Sequence, residues 1–285
     1  MRSPGHSVLT VSHLRLHVGR QLIVDDLSFQ LNAGERVCLL GPSGSGKSMT
    51  ASAILGISPP SVSLKGEIRI NGMDVSHIKA AQRPVAARAG MVFQDTHAAL
   101  NPLVTVGMQL REPFMRFHGL SKRDAHQAAI DLLARLMIAE PDKVVCRSSA
   151  ELSGGQRQRI CLALALACKP SLIVADEPTT ALDVLTQMEV LHLLKECTGT
   201  ADTPALLFIS HDMTAAAQLC ERVVIIDEGR LVESAALDTV MSNPQHRFSQ
   251  ELVAAIGDRA FPHRAEVDDR SVVDASAEVR WPCRA

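Results

Sequence analysis

The sequence predicts a parallel α/β core broken by a helical insertion. Two observations carry that prediction. Short apolar runs at residues 36–40, 172–175, 206–210 and 223–227 alternate with segments of helical spacing, the pattern of strands joined by crossover helices. A glycine-rich segment, Gly41-Pro42-Ser43-Gly44-Ser45-Gly46-Lys47-Ser48, stands between the first of those runs and a helix at about residues 47–55.

The remaining elements follow in chain order. Residues 8–18 and 21–31 alternate roughly, as strands do, and Asn32-Ala33-Gly34 makes a turn. Gly66-Glu67-Ile68-Arg69-Ile70-Asn71-Gly72 reads as a strand ending in an Asn-Gly turn. Residues 95–168 read as mainly helical. There Ser121-Lys122-Arg123-Asp124 is a capping box, followed at helical spacing by Ala125, Ala129, Leu132, Leu133, Leu136 and Met137. The division expected is a catalytic core of residues 7–94 and 169–256 with a helical subdomain, 95–168, set into it. The tail from 257 to 285 is rich in charge and small residues without a sustained period, which predicts a mobile extension.

Bulk properties exclude several classes. A net charge of −2 over 285 residues gives no overall field toward nucleic acid or an anionic membrane, so nucleic acid is not an expected partner. The most apolar run, residues 160–168, is closed by Lys169-Pro170 and suits a buried helix, too short to cross a bilayer. No apolar stretch follows Met1-Arg2-Ser3-Pro4-Gly5-His6, so no secretory signal is expected. The seven cysteines are odd in number and none forms a C-x-x-C pair, which fits reduced thiols in the cytosol.

The glycine-rich segment fits the phosphate-binding P-loop pattern G-x-x-x-x-G-K-[ST], in the strand–loop–helix context that the pattern requires. Glycines let backbone N–H groups turn onto phosphate oxygens, and the helix that starts there adds its positive end. Lys47 then neutralises the β- and γ-phosphates of a nucleotide, and the Ser48 hydroxyl ligates Mg²⁺. ATP and Mg²⁺ are therefore the expected cofactors, with residues Gly41 to Met49 as the cradle.

Leu172-Ile173-Val174-Ala175-Asp176-Glu177 is an apolar strand ending in two carboxylates, at the end of a strand where open α/β sheets place ligands. Asp176 is assigned to Mg²⁺ through a water, and Glu177 to orienting or deprotonating the attacking water, because a carboxylate tied to a metal is a poor base. Gln94, after Gly90-Met91-Val92-Phe93, offers an amide to Mg²⁺ or to that water. His211, after Leu206-Leu207-Phe208-Ile209-Ser210, is placed to hydrogen-bond the γ-phosphate. Alone, either is an ordinary polar residue at a strand end; the ensemble gives them meaning.

Leu152-Ser153-Gly154-Gly155-Gln156 opens a further helix. Ser153 is a good N-cap and the glycines leave the backbone open to an anion. The P-loop already uses its own helix start, so this one needs another phosphate, which a facing subunit can supply.

With these motifs in this order, plus Asp183 in Thr179-Thr180-Ala181-Leu182-Asp183, the chain resembles an ATP-binding subunit of the ABC transporters over about residues 8–256. The resemblance implies a P-loop ATPase core with an antiparallel β subdomain and a helical insertion subdomain. It also implies a head-to-tail pair of ATPases, each completing the other's site through Ser153, Gly154, Gly155 and Gln156, with Asp183 linking the two sites. The helical insertion would dock on an integral-membrane permease, placing the chain peripherally at the cytoplasmic face of the cell membrane. Phe93-Gln94-Asp95, Ala99-Leu100-Asn101-Pro102 and His246-Arg247-Phe248-Ser249-Gln250 are similar to importers of the peptide/nickel type. Gly44-Ser45-Gly46-Lys47-Ser48-Met49-Thr50 with Leu55-Gly56-Ile57 is more like the nickel-type first ATPase, whose partner ATPase is usually a paralogue. Such systems also use an extracytoplasmic solute-binding protein.

Two other functions share parts of this pattern: an ABC ATPase of a soluble complex, and an ATP-binding subunit of a phosphonate-degrading complex. The sequence departs from the family in one respect. The aromatic residue that usually stacks on adenine is expected at Val18, beside His17, and the chain contains no tyrosine.

Overall fold

The computed structural model describes residues 6–93, 95–180, 182–200 and 202–257. Gln94, the extension beyond residue 257 and its Cys283 lie outside the described residues.

The chain begins with a long hairpin, β1 (Ser7–Val18) and β2 (Gln21–Asn32), followed by β3 (Arg36–Leu40) and α1 (Lys47–Leu55). Next come β4 (Val62–Ile70), β5 (Met73–Asp74) and β6 (Ala89–Val92). A helical stretch follows: α2 (Thr96–Ala99), α3 (Val106–His118), α4 (Lys122–Arg135), α5 (Pro141–Val144) and α6 (Gly154–Ala167). The chain then alternates through β7 (Leu172–Asp176), α7 (Val184–Cys197), β8 (Ala205–Ser210), α8 (Met213–Leu219), β9 (Arg222–Asp227) and β10 (Arg230–Ala236), and ends on α9 (Leu237–Ser242) and α10 (Arg247–Gly257).

Two sheets result. The smaller is antiparallel, in the order β2-β1-β4-β5, and the larger runs β10-β9-β3-β8-β7-β6. Within the larger, all neighbours are parallel except β10 on β9. Its central strands are buried on both faces, which is why they read as unbroken apolar runs and not as alternation. In β3 the period of two sends Val37 and Leu39 into one core with the antiparallel sheet and α1. Cys38 and Leu40 go to the opposite core, with the helices from α3 to α8. A Leu, Ile or Phe fully buried in this way contributes about 1.5–3 kcal/mol, so these two apolar layers hold the sheet that carries the P-loop.

The antiparallel strands are less regular than their sequence implies. His13 and Asp26 take left-handed backbone angles, φ 49° and 60°, at bulges where the β1–β2 register shifts. β4 begins at Val62, before the expected Gly66, because Gly66 is itself a bulge: at φ +92° its Cα lies against β1, where a Cβ would meet the His13 carbonyl at 2.4 Å. The Asn71-Gly72 turn forms as expected, both residues at positive φ.

Two expectations in the helical stretch need correction. Ser121 accepts a hydrogen bond from the Asp124 N–H, but the Asp124 carboxylate binds the Ser121 hydroxyl instead of its backbone N–H, so only half of the capping box forms. Aspartate is one methylene shorter than the glutamate that closes such a box. Met137 is not on the apolar face of α4: the helix ends at Arg135, Met137 turns left-handed at φ 56°, and its side chain is 66% exposed. Ala125, Ala129, Leu132, Leu133 and Leu136 are buried as expected, and so is most of α6. Among the described residues no helix is long and apolar enough to cross a membrane.

One buried cation fixes the far end of the P-loop helix. Arg83, 3% exposed, donates to the carbonyls of Ile54, Ile78 and Val75. Ile54 is in the last turn of α1, where helix carbonyls lack partners and a positive charge meets the negative end of the dipole. Burial pushes Arg83 down to about 10.

Candidate nucleotide site

The P-loop leaves the C-terminal end of β3, between β9 and β8, and delivers the chain into α1. Its glycines serve two needs. Gly44 and Gly46 hold φ at +83° and +95°, angles that side-chain-bearing residues rarely adopt. Gly41 is needed for space, since a Cβ there would lie 2.2 Å from the Ile226 carbonyl of β9. The Lys47 ammonium lies back across the loop and donates to the carbonyls of Gly41 and Pro42, each at 2.8 Å. Burial lowers Lys47, while the nearby Glu177 and Asp176 carboxylates oppose that shift. Ser45 is buried and its Oγ has no hydrogen-bond partner among the described residues. Pro42, Ser43 and Gly44 form the outer rim of the loop, and Met49 packs half-buried behind it.

Asp176 ends β7, next to β8, and the sheet brings it to the P-loop. The Ser48 hydroxyl donates to Asp176 Oδ1 at 3.3 Å. Burial raises the Asp176 carboxyl above the usual aspartate value. Two hard oxygen donors meeting in this way fit Mg²⁺, which keeps several waters and takes phosphate oxygens as further ligands. No cluster of three or more His, Cys, Asp or Glu side chains suited to a metal occurs among the described residues.

Glu177 turns out of the strand. Its backbone is left-handed, φ 44°, and its N–H donates to the Ile209 carbonyl of β8 at 3.0 Å. The carboxylate reaches His211, whose Nδ1 lies 3.0 Å from Oε1. A carboxylate only accepts, so Nδ1 carries the hydrogen and Nε2 is left for another partner. The Thr180 hydroxyl donates to Oε2 at 3.1 Å. The strand-end turn thus parts the two adjacent carboxylates, with Asp176 toward Ser48 and Glu177 toward His211. Thr180 was not singled out from sequence; its only signal is its place three residues after Glu177 in a turn. Val18 ends β1 and is 39% exposed, and His17 is half-buried.

The second helix start is a separate feature. The N–H of Gln156 donates to Ser153 Oγ at 3.2 Å, and the N–H of Ser153 donates to Gln156 Oε1 at 3.1 Å, a closed capping box. Gly154 is open, its nearest neighbour beyond the local chain being Leu182 Cδ2 at 3.9 Å from a built Cβ. Gly155 is not open as expected, because a Cβ there would meet Thr186 Cγ2 at 2.8 Å, so it serves the packing of α6 on α7. The helix start lines a 440 Å³ cleft with Asp183, Thr186 and the unexpected Met137. Asp183 caps α7 by accepting from the Thr186 N–H at 3.0 Å and hydroxyl at 2.7 Å, and these bonds lower its carboxyl.

A phosphate-binding loop at the end of a central parallel strand, with an acidic strand end one strand away across β8, defines a P-loop nucleotide-binding protein. Comparison with known proteins makes the class specific. The family model described as ABC transporter matches residues 24–180. The chain is 40% identical over 245 residues to the probable D,D-dipeptide transport ATP-binding protein DdpD of Escherichia coli, covering 85% of this chain and 74% of that one. It is 37% identical over 242 residues to the oligopeptide transport ATP-binding protein OppD of Bacillus subtilis, covering 84% and 67%. Among solved structures it is similar to the dimeric, post-hydrolysis ATP-binding cassette MJ0796 bound to ADP and phosphate, with a TM-score of 0.69 and 26% identity over 80% of this chain and 98% of that one. The chain belongs to the ABC transporter family. It binds ATP and hydrolyses it, and the hydrolysis is coupled to transport.

Proposed function

We propose that this chain is one of two ATPase subunits of a peptide importer, working peripherally at the cytoplasmic face of the cell membrane. The peptide names of the relatives support this solute class over the nickel or metal chelates of the same branch. The partners in this reading are a second ATPase, identical or paralogous, the integral-membrane permease and an extracytoplasmic solute-binding protein. Residues 95–168 face the permease, while 7–94 and 169–256 bind the nucleotide.

The observation that carries the catalytic assignment is the parting of Asp176 and Glu177 onto different partners, Ser48 and His211. Lys47 exchanges its own loop's carbonyls for phosphate oxygens, and the P-loop N–H groups cradle the phosphates. Ser48 and Asp176 hold Mg²⁺, with Gln94 as a further ligand; the ion, when bound, offsets charge on the phosphate oxygens. Glu177, turned away from the metal pair, orients or deprotonates the attacking water. His211 steadies Glu177 through its Nδ1 hydrogen and, when Nε2 also carries a hydrogen, donates that one to the γ-phosphate. Ser153, Gly154, Gly155 and Gln156 present a second helix start to the nucleotide of the partner ATPase.

Glu177→Gln tests the reading. It preserves shape and removes basicity, so turnover should fall about a hundredfold or more while ATP affinity is retained. Turnover near the wild-type rate would remove Glu177 from the chemistry. Co-purification with a permease, and not with soluble lyase components, tests the transport role.

A further inference from the structure

We infer that Thr180 is a positioning residue for hydrolysis, fixing the plane of the Glu177 carboxylate through its hydroxyl. The inference rests on the reading of Glu177 given above. A carboxylate held at one oxygen still turns, because the terminal torsion of glutamate is broad and roughly two-fold. His211 holds Oε1, but its side chain is 57% exposed and it comes from a different strand end, after β8. The Thr180 hydroxyl holds the other oxygen, Oε2, from within Glu177's own turn. With one oxygen held from the end of β8 and the other from its own turn, the plane of the carboxylate is set.

The backbone supports the same assignment. A left-handed glutamate is strained and persists only where its surroundings hold it. Here the Ile209 carbonyl takes the Glu177 N–H, and the Thr180 N–H donates to the Glu177 carbonyl at 3.2 Å. Thr180 therefore closes the turn with its backbone and anchors the carboxylate with its side chain. It is exposed, so the hydroxyl is not there to satisfy a buried core. Thr180 also stands three residues before Asp183, which caps α7 at the rim of the second cleft.

The test compares Thr180→Val, which keeps the shape and removes the donor, with Thr180→Ser, which keeps the donor. Thr180→Val should lower kcat for ATP about tenfold with KM changed less than twofold, and Thr180→Ser should restore kcat. In a Glu177→Gln background Thr180→Val should add no further loss, since it acts through that carboxylate. A wild-type kcat in Thr180→Val, or a Thr180→Ser as impaired as the valine, would overturn the inference. Glu177→Gln alone separates the two claims. If it retains turnover, the assignment of Glu177 falls and this inference with it; if it is inactive while Thr180→Val is silent, only the role of Thr180 falls.

Discussion

The Ser48 hydroxyl and the Asp176 carboxylate meet at 3.3 Å although 128 residues separate them in the chain. One is the first-turn residue of α1 and the other the last residue of β7, and the parallel sheet alone brings them together. Ser48→Ala should raise the Mg²⁺ concentration needed for half-maximal turnover, with little change in Tm because Ser48 is exposed. Asp176→Asn should behave differently. Burial raises the Asp176 carboxyl, so the ionised form costs the fold stability at neutral pH. Asparagine should therefore abolish turnover yet raise Tm. A fall in Tm would show the carboxylate to be stabilised by its surroundings.

Arg83 is expected to be irreplaceable by lysine. Its guanidinium spans carbonyls from α1 and from the segment after β5, which a single ammonium cannot do. Arg83→Leu should destabilise by about 1–3 kcal/mol for a buried polar group left unpaired, and Arg83→Lys should recover less than half of that. Urea denaturation gives both values. Equal stability of the lysine variant and wild type would show that charge, and not the planar fork, holds the end of the P-loop helix.

The docking of α10 should be sensitive to acid. Burial would raise the Glu233 carboxyl, but the nearby Ser249 hydroxyl, which makes no hydrogen bond of normal geometry to it, and the N–H groups of His246 and Gln245, which do, outweigh that and hold it below the ordinary glutamate value of 4.5. The N–H contacts are 3.1–3.2 Å long. A carboxyl lowered by folding stabilises the fold above its unfolded value and loses that contribution as pH falls through its folded value. Stability should therefore drop below about pH 4.5, and Glu233→Gln should flatten that part of the profile while costing about 1–3 kcal/mol at pH 7. An unchanged acid limb in the glutamine variant would assign it to other carboxylates.

Discrimination between bases should be weak. Val18, where the family usually has a stacking aromatic, offers only an aliphatic surface, and an aromatic–base stack is worth about 1–3 kcal/mol. ATP should be preferred over GTP only slightly, and Val18→Tyr should raise ATP affinity about fivefold or more. A strong preference in the wild type that the tyrosine leaves unchanged would show that another residue holds the base.

What was legible in the sequence was what local chemistry determines. β3 and α1 begin and end where the apolar run and the P-loop require, and Ser153 caps α6 because its side chain and that of Gln156 are within reach of each other. Met137 departs from the expected face because its spacing continues a helix that the left-handed turn there ends. The openness expected of Gly155 failed for a different reason: Thr186, its contact, comes from another helix. Pairings across the sheet, such as His211 with Glu177, left only faint marks, since each partner alone is an ordinary polar residue at a strand end.

The central position of β3 also governs how the protein is made. Its two neighbours are β8 and β9, both from the far part of the chain, and Arg36 at its start is held by Glu221, 185 residues later. A ribosome adding roughly 5–20 residues per second takes about 10–40 s over that interval. Until then the strand that carries the P-loop has no sheet to join, and the face of Cys38 and Leu40 lacks much of its core. ATP binding is therefore expected only once β8 and β9 have been made, and a product truncated before residue 205 should be a substrate for chaperones and proteases instead of an inactive competitor for the permease.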